Sequence, residues 1–311
     1  MIDTSLAFTT PAGISAWKRW LLYSPLARIV MFALGFYLLS QAIGRLDHAT
    51  WLHNAARTPW NNGLAYLSIF VLSSFLIYLG LVKLVERRRM VEWSPRNWTG
   101  VWAGIIGGVL LFTVAVGALW LVGSYHVTGT NPHADWLLAL LMVALGAGIG
   151  EEILFRGVLF RIVEEGLGTW GALLISALFF GAAHIMNPGA TLWSAAAITV
   201  EAGLLLGMIY HLTRSLWPCI GLHAAWNFTQ GTVYGIPVSG THADGWLVSQ
   251  RTGPDWLSGG AFGAEASVVM LSLCSVCTVV LIVVAVRRGS IVPPCWRRKT
   301  SEAISARNPA T

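Results

Sequence analysis

Glu151 and Glu152 follow directly on an uncharged run, Trp136 to Gly150, and are succeeded by Arg156 and more apolar sequence, Val158 to Phe160. Carboxylates in that setting are expected inside a lipid bilayer. Each charge at bilayer depth costs roughly 2.5–3.5 kcal/mol on insertion scales, so a Glu-Glu-x-x-x-Arg cluster needs partners or a task that offsets the cost. Two further apolar segments carry polar groups at helical spacing: Phe180 and His184 form F-x-x-x-H, and His223 and Asn227 form H-x-x-x-N. Residues four apart share a helix face, so Glu152 projects with Arg156, and His223 with Asn227. Taken singly, an intramembrane His or Asn serves more often as an interhelical hydrogen bond, and Glu-x-x-x-Arg as a structural ion pair. Their occurrence together in consecutive segments points to a joint site for acid–base chemistry.

The elements that must position these groups are membrane helices. Of the 311 residues 55% are hydrophobic and 11% charged, far from the roughly 25% charged residues of a soluble domain. The expected fold class is all-α, a polytopic membrane protein with the site among a four-helix core. Stretches long enough to span roughly 30 Å as helix occur near 27–44, 64–85, 100–123, 136–160, 170–186, 192–213, 216–236 and 265–286. This divides the chain into an interfacial segment 1–26, three N-terminal spans in 27–123, a core at 136–236, an external loop 237–264, a last span 265–286 and a basic tail 287–311. Trp17, Trp20 and Tyr23 beside Lys18 and Arg19 suit the headgroup layer. Residues 1–16 lack the basic start and cleavage site of a secretory signal.

The net charge of +6 does not call for nucleic acid as a partner, because basic residues concentrate in the loops on one side. With eight spans and both termini in the cytoplasm, only Arg45, Arg57 and Arg251 of the 20 Lys and Arg fall outside, as the positive-inside rule requires. The expected location is an integral protein of a bacterial plasma membrane. At about 1.5 Å per residue, Glu151 lies about 18 Å from the cytoplasmic helix end, His184 about 21 Å, Asn227 about 16 Å and His223 about 10 Å. The four can share one layer.

Other polar residues ask for less. Glu201 sits in mid-span with no recognised spacing, and its role stays open. His211 and Arg214 fall at a cytoplasmic helix end, where interfacial anchoring and the helix dipole suffice. His48, His53, His126, His133 and His242 belong to outer loops. Cys274 and Cys277 form a C-x-x-C inside an aliphatic span, which reads as helix packing rather than redox or metal chemistry, and Cys219 and Cys295 complete no disulfide framework.

The set E-E-I-L-F-R-G (151–157), F-G-A-A-H (180–184) and H-A-A-W-N (223–227) resembles the CPBP intramembrane proteases, also called Abi or CAAX protease-like. That family includes type II CAAX prenyl endopeptidases and bacteriocin-processing or self-immunity proteins. The likeness covers roughly residues 136–235. It implies an intramembrane endopeptidase in which Glu151 activates water, His184 holds and polarises that water, and His223 with Asn227 stabilises the oxyanion. Glu152, Arg156 and Phe180 would support them. Physical chemistry agrees: a carboxylate desolvated beside a second one gains basicity, and each oxyanion donor is worth about 2.7–4 kcal/mol in comparable sites.

Zinc is the rival reading. His184, His223 and Glu151 could supply a two-histidine, one-carboxylate set with water in the open position, but no H-E-x-x-H helix is present and a metal-free, glutamic mechanism is preferred, with no cofactor. The expected partners are the lipid bilayer and a membrane-associated or lipid-modified protein substrate. Two other functions compete: a non-catalytic scaffold or self-immunity protein on the same fold, and a proton-coupled transporter, which would need a polar route across the whole membrane.

Overall fold

In lipid every backbone donor and acceptor must be satisfied within the chain, which leaves helix as the solution for long uncharged runs. The computed structural model follows that rule; it describes residues 10, 13–50 and 58–298. Expectations for residues 1–9, His53, Arg57, Lys299 and Arg307 lie outside the described residues. The helices are α1 (Pro25–Ala49), α2 (Pro59–Val85), α3 (Gly100–Leu121), α4 (Trp136–Ala183), α5 (Leu192–Thr213), α6 (Trp217–Phe228) and α7 (Val268–Arg287). Among the described residues, all but α6 are long and apolar enough to cross a membrane. Their starts carry the expected caps: Ser24 Oγ accepts from Ala27 N at 3.2 Å before Pro25, and Thr191 and Ser194 form a capping box on α5.

α4 contains two of the apolar segments. Its 48 residues would extend about 72 Å if straight, more than twice the hydrocarbon thickness. Gly168, at φ 74°, breaks the run. The second limb then doubles back on the first, bringing the Phe155 and Phe180 rings to 4.9 Å between centroids. Added bulk at Gly168 would collide with the Val292 carbonyl, 2.4 Å from an ideal Cβ. The chain after α7 returns here, and Thr169 N donates to Val292 O at 2.9 Å.

Contacts between connecting segments define two ends of the bundle. At one end, Glu86 accepts from Arg28 at 2.7 Å and from Arg161 at 2.9 Å, Arg88 reaches Glu92, and Leu216 N donates to Glu92 O. His211 belongs to this end as well, but it is fully buried rather than interfacial. Its Nδ1 lies 3.0 Å from Glu164 and its Nε2 3.1 Å from Ser290, with Arg214 on the same carboxylate. Folding carries the post-α7 segment across the α5 terminus, which periodicity within α5 does not reveal. At the other end stands a feature with no counterpart in the expected all-α plan: β1 (Tyr125–Thr130) pairs antiparallel with β2 (Leu247–Arg251), so the loop 237–264 folds back onto the start of the core.

α6, which bears the H-x-x-x-N motif, packs on α3 through small residues. An ideal Cβ at Gly104 would lie 2.2 Å from Pro218 O, and one at Gly108 2.5 Å from Leu222 O. Where lipid tails are as apolar as leucine, such close backbone approach supplies the packing that holds helices together. On its opposite side α6 meets α4, where Gly148 leaves room for Ala224.

The Glu86 cluster yields a pH prediction. Burial alone would raise the Glu86 carboxyl, but the guanidinium groups of Arg161, Arg88 and Arg28 outweigh it and hold the group below its ordinary 4.5. Its contribution to stability is therefore complete above about pH 4.5 and is lost as pH falls through the folded value. Thermal unfolding in detergent should show acid destabilisation below that point. Glu86→Gln should cost about 3–5 kcal/mol at neutral pH and flatten the acid limb; an unchanged acid limb would show that the cluster does not control it.

Candidate functional site

The first limb of α4 presents its two glutamates differently, because consecutive helical residues diverge by about 100°. Glu152 is fully buried, whereas the Glu151 side chain keeps 19% exposure. Glu152 Oε1 accepts from Arg156 Nη1 at 2.8 Å, one turn along, and from His223 Nδ1 at 2.8 Å across on α6. Arg156 also reaches α5, where its Nη2 donates to Ala202 O at 2.6 Å and Gly203 O at 3.3 Å. That approach is open because Gly203 packs against Ala177, which a Cβ would meet at 2.8 Å. The Arg156 guanidinium lies 4.8 Å over the Phe180 ring, and Phe180 in turn packs at a tilt against His184, 4.8 Å between centroids. Five side chains from α4 and α6, with two backbone carbonyls of α5, thus form one connected set.

His184 caps the second limb of α4, and its Nδ1 donates to Phe180 O at 2.8 Å. With that nitrogen engaged by a carbonyl, Nε2 is the free ring nitrogen, and it stands 3.8 Å from Glu151 Oε2. His223 repeats the arrangement, with Nδ1 on Glu152 and Nε2 3.9 Å from the same Glu151 oxygen. Glu151 Oε2 is itself buried without a side-chain or backbone hydrogen bond. Asn227, one turn after His223, spends one N–H on Val143 O at 2.9 Å and keeps the other. Expected residues Glu151, Glu152, Arg156, Phe180, His184, His223 and Asn227 are all brought together.

Of these, Glu151, His184, His223 and Asn227 face a cavity of ≈ 530 Å³. Its walls add residues that sequence spacing did not single out: Tyr66 from α2, Asn187 after His184, and Asp135, Ser239, His242 and Asp244 from connecting segments. Only Asn187 carried a signal, its position three residues beyond F-x-x-x-H; the rest come from loops without periodicity. Asp244 helps shape this wall, accepting from Asn131 Nδ2 at 2.7 Å and Asp135 N at 3.1 Å. A second, small cavity of ≈ 30 Å³ lies behind the histidines and is lined by Glu201 and Glu265 together with His184, His223 and Asn227. Glu201, whose role the sequence left open, is fully buried with neither oxygen hydrogen-bonded.

Metal binding can be tested against this geometry. Two ligands on tetrahedral zinc, at about 2.0 Å each, stand about 3.3 Å apart. The Glu151 oxygen is 3.8 and 3.9 Å from the two Nε2 atoms, and among the described residues no group of three His, Cys, Asp or Glu is placed to hold a metal ion. Cys274 and Cys277 are free thiols.

Residues 133–229 match a family model described as type II CAAX prenyl endopeptidase Rce1-like. That segment contains all three motifs, and the match agrees with the family they resemble. No curated protein matches the chain.

Two of the buried glutamates, Glu152 and Glu201, should respond unequally to amidation. Glu152→Gln strips the partner of Arg156 and should cost about 3–5 kcal/mol. Glu201→Gln removes a carboxylate that nothing pairs and should stay within about 1 kcal/mol of the parent. Denaturation in detergent measures both; equal losses would overturn the assignment of Glu152 as the keystone.

Proposed function

We propose that this protein is an intramembrane endopeptidase of the glutamic type, acting on membrane-associated or lipid-modified proteins. The observation that carries the reading is the convergence of two pinned histidines on one glutamate oxygen. A gap of 3.8–3.9 Å to each Nε2 is too long for a direct hydrogen bond and suits a water that bridges them at ordinary distances. The Rce1-like match supports the same class of reaction, and the resemblance supports the division of roles among these residues.

In this mechanism Glu151 takes a proton from the water while His184 orients it, and the hydroxide oxygen attacks the scissile carbonyl. The new C–O bond places negative charge on the former carbonyl oxygen. Asn227 donates its remaining N–H to that oxygen, and His223 donates from Nε2 when its ring is protonated. Glu152 favours that protonated state by accepting from Nδ1. Collapse of the intermediate breaks the C–N bond, and the proton held by Glu151 passes to the leaving amine. Amide hydrolysis therefore balances with no other reactant.

A zinc reading retains one specific observation: both histidines have Nδ1 fixed by an acceptor, as metal-bound imidazoles do. Small shifts would let His184, His223 and Glu151 surround the ion, which would supply a polarised water.

Purified protein assayed on a peptide library separates these readings. Glu151→Gln and His184→Ala should each lower turnover by about 10²–10⁴-fold, the usual contribution of a positioned base. Unchanged cleavage in both variants would remove the proposed site. Activity that survives exhaustive chelation supports the metal-free mechanism, and loss restored specifically by Zn²⁺ would replace it with the zinc one.

A further inference from the structure

Two asymmetries run along the helix axes of this bundle and point the same way. The first is charge. The end built from residues 86–99, the α4 bend, residues 213–216 and the segment after α7 collects the basic loops, and among the described Lys and Arg only Arg45 and Arg251 belong to the other end. That other end carries Asp135, Asp244 and Asp255. A Lys/Arg bias of this kind sets membrane orientation, with the basic end in the cytoplasm.

The second asymmetry is access. From Glu151 the ≈ 530 Å³ cavity extends towards Asp135, His242 and Asp244, all at the acidic end. There it shares His242, Ala243 and Asp244 with a polar cavity of ≈ 620 Å³ formed along β2. His184 also lies at that end, as the last residue before the turn that leads into α5. Towards the basic end the same helices are filled by Phe160, Leu206, Tyr210 and Leu216, each at most 1% exposed. Beyond them lies the buried Arg28–Glu86–Arg161 cluster.

Taking the proposed hydrolysis as the work of this cavity, we infer that substrate reaches Glu151 from the non-cytoplasmic side. The bond cut then lies in an exported or outward-facing segment of a membrane-associated protein. A lipid-modified C-terminus held at the cytoplasmic surface faces the closed end of the bundle.

Thiol labelling with a membrane-impermeant maleimide tests this in spheroplasts producing the full chain. The native Cys295 is exposed and lies at the basic end, while Cys219 and Cys274 are buried and the half-buried Cys277 sits within the apolar membrane-spanning α7, so Cys295 serves as the internal reference. A His242→Cys, Cys295→Ser variant should react before permeabilisation and lose cleavage once labelled, whereas Cys295 in the parent should react only afterwards. Gln250→Cys on β2, also exposed and lining the second cavity, provides an independent position should the first variant fail to accumulate. Labelling of Cys295 from outside, with position 242 or 250 protected until permeabilisation, would overturn the inference. Labelling reports orientation without any need for catalysis, so a protein that labels as expected but cleaves normally as Glu151→Gln would refute the proteolytic site and leave the orientation standing.

Discussion

A single carboxylate oxygen, Glu152 Oε1, takes hydrogen bonds from both Arg156 and His223 at 2.8 Å, and the arrangement of the core follows from it. In a low-dielectric interior a lone carboxylate or guanidinium is costly, and removing one partner of a buried pair exposes the full penalty of the other. Glu152 and Arg156 therefore bind helices as well as each other. Through His223 the pair fixes α6 against the first limb of α4. Through the carbonyls of Ala202 and Gly203 it fixes α5. Through the Phe180 ring it sets the second limb of α4 and the imidazole packed against it. His184 and His223 are thus both referred to one ion pair, and the glycines at 104, 108, 148 and 203 matter because they let the backbones come close enough for it to form.

That division explains why two adjacent glutamates are unequal. Glu152 Oε1 is engaged by both an arginine and an imidazole. Glu151, turned about 100° around the helix, has an oxygen with no hydrogen bond and two imidazole nitrogens just beyond contact distance. Fixed neighbours around an unsatisfied acceptor are what electrostatic preorganisation requires: the groups that meet the developing charge are held before the reaction begins. Glu152 supplies the rigidity, and in the proposed hydrolysis Glu151 is the base.

Much of this was legible in the sequence, for a physical reason. Within a helix, four-residue spacing fixes a shared face, so Glu152 with Arg156 and His223 with Asn227 could be paired before any fold was known. That the motif-bearing residues could share one layer followed from rise per residue and alternating topology. What stayed hidden depended on chain crossings. His211 read as an interfacial anchor, yet the segment around Ser290 returns over it and buries it. The β1–β2 pairing joins segments more than a hundred residues apart, and strands this short carry little alternation to announce them. Tyr66, Asp135 and Asp244 line the cavity from segments whose spacing to the motifs encodes nothing. Glu201 could be located but not interpreted, and its place behind the histidines is a tertiary fact.

The closed end of the cavity bears on which kind of membrane chemistry the charges serve. Transport requires polar groups along a route that opens, in turn, to both sides of the membrane. Here the layers of α4, α5 and α6 between Glu151 and the basic end are filled by buried Phe160, Leu206, Tyr210 and Leu216, and the charged groups past them are locked in ion pairs. A hydrolase has the opposite need. It must bring water and an extended peptide to a base while keeping the bilayer sealed, since a continuous wet path would leak protons. A one-sided cavity that ends at Glu151 meets both demands, and under the proposed hydrolysis the apolar plug beneath the site serves the reaction as much as the polar groups above it.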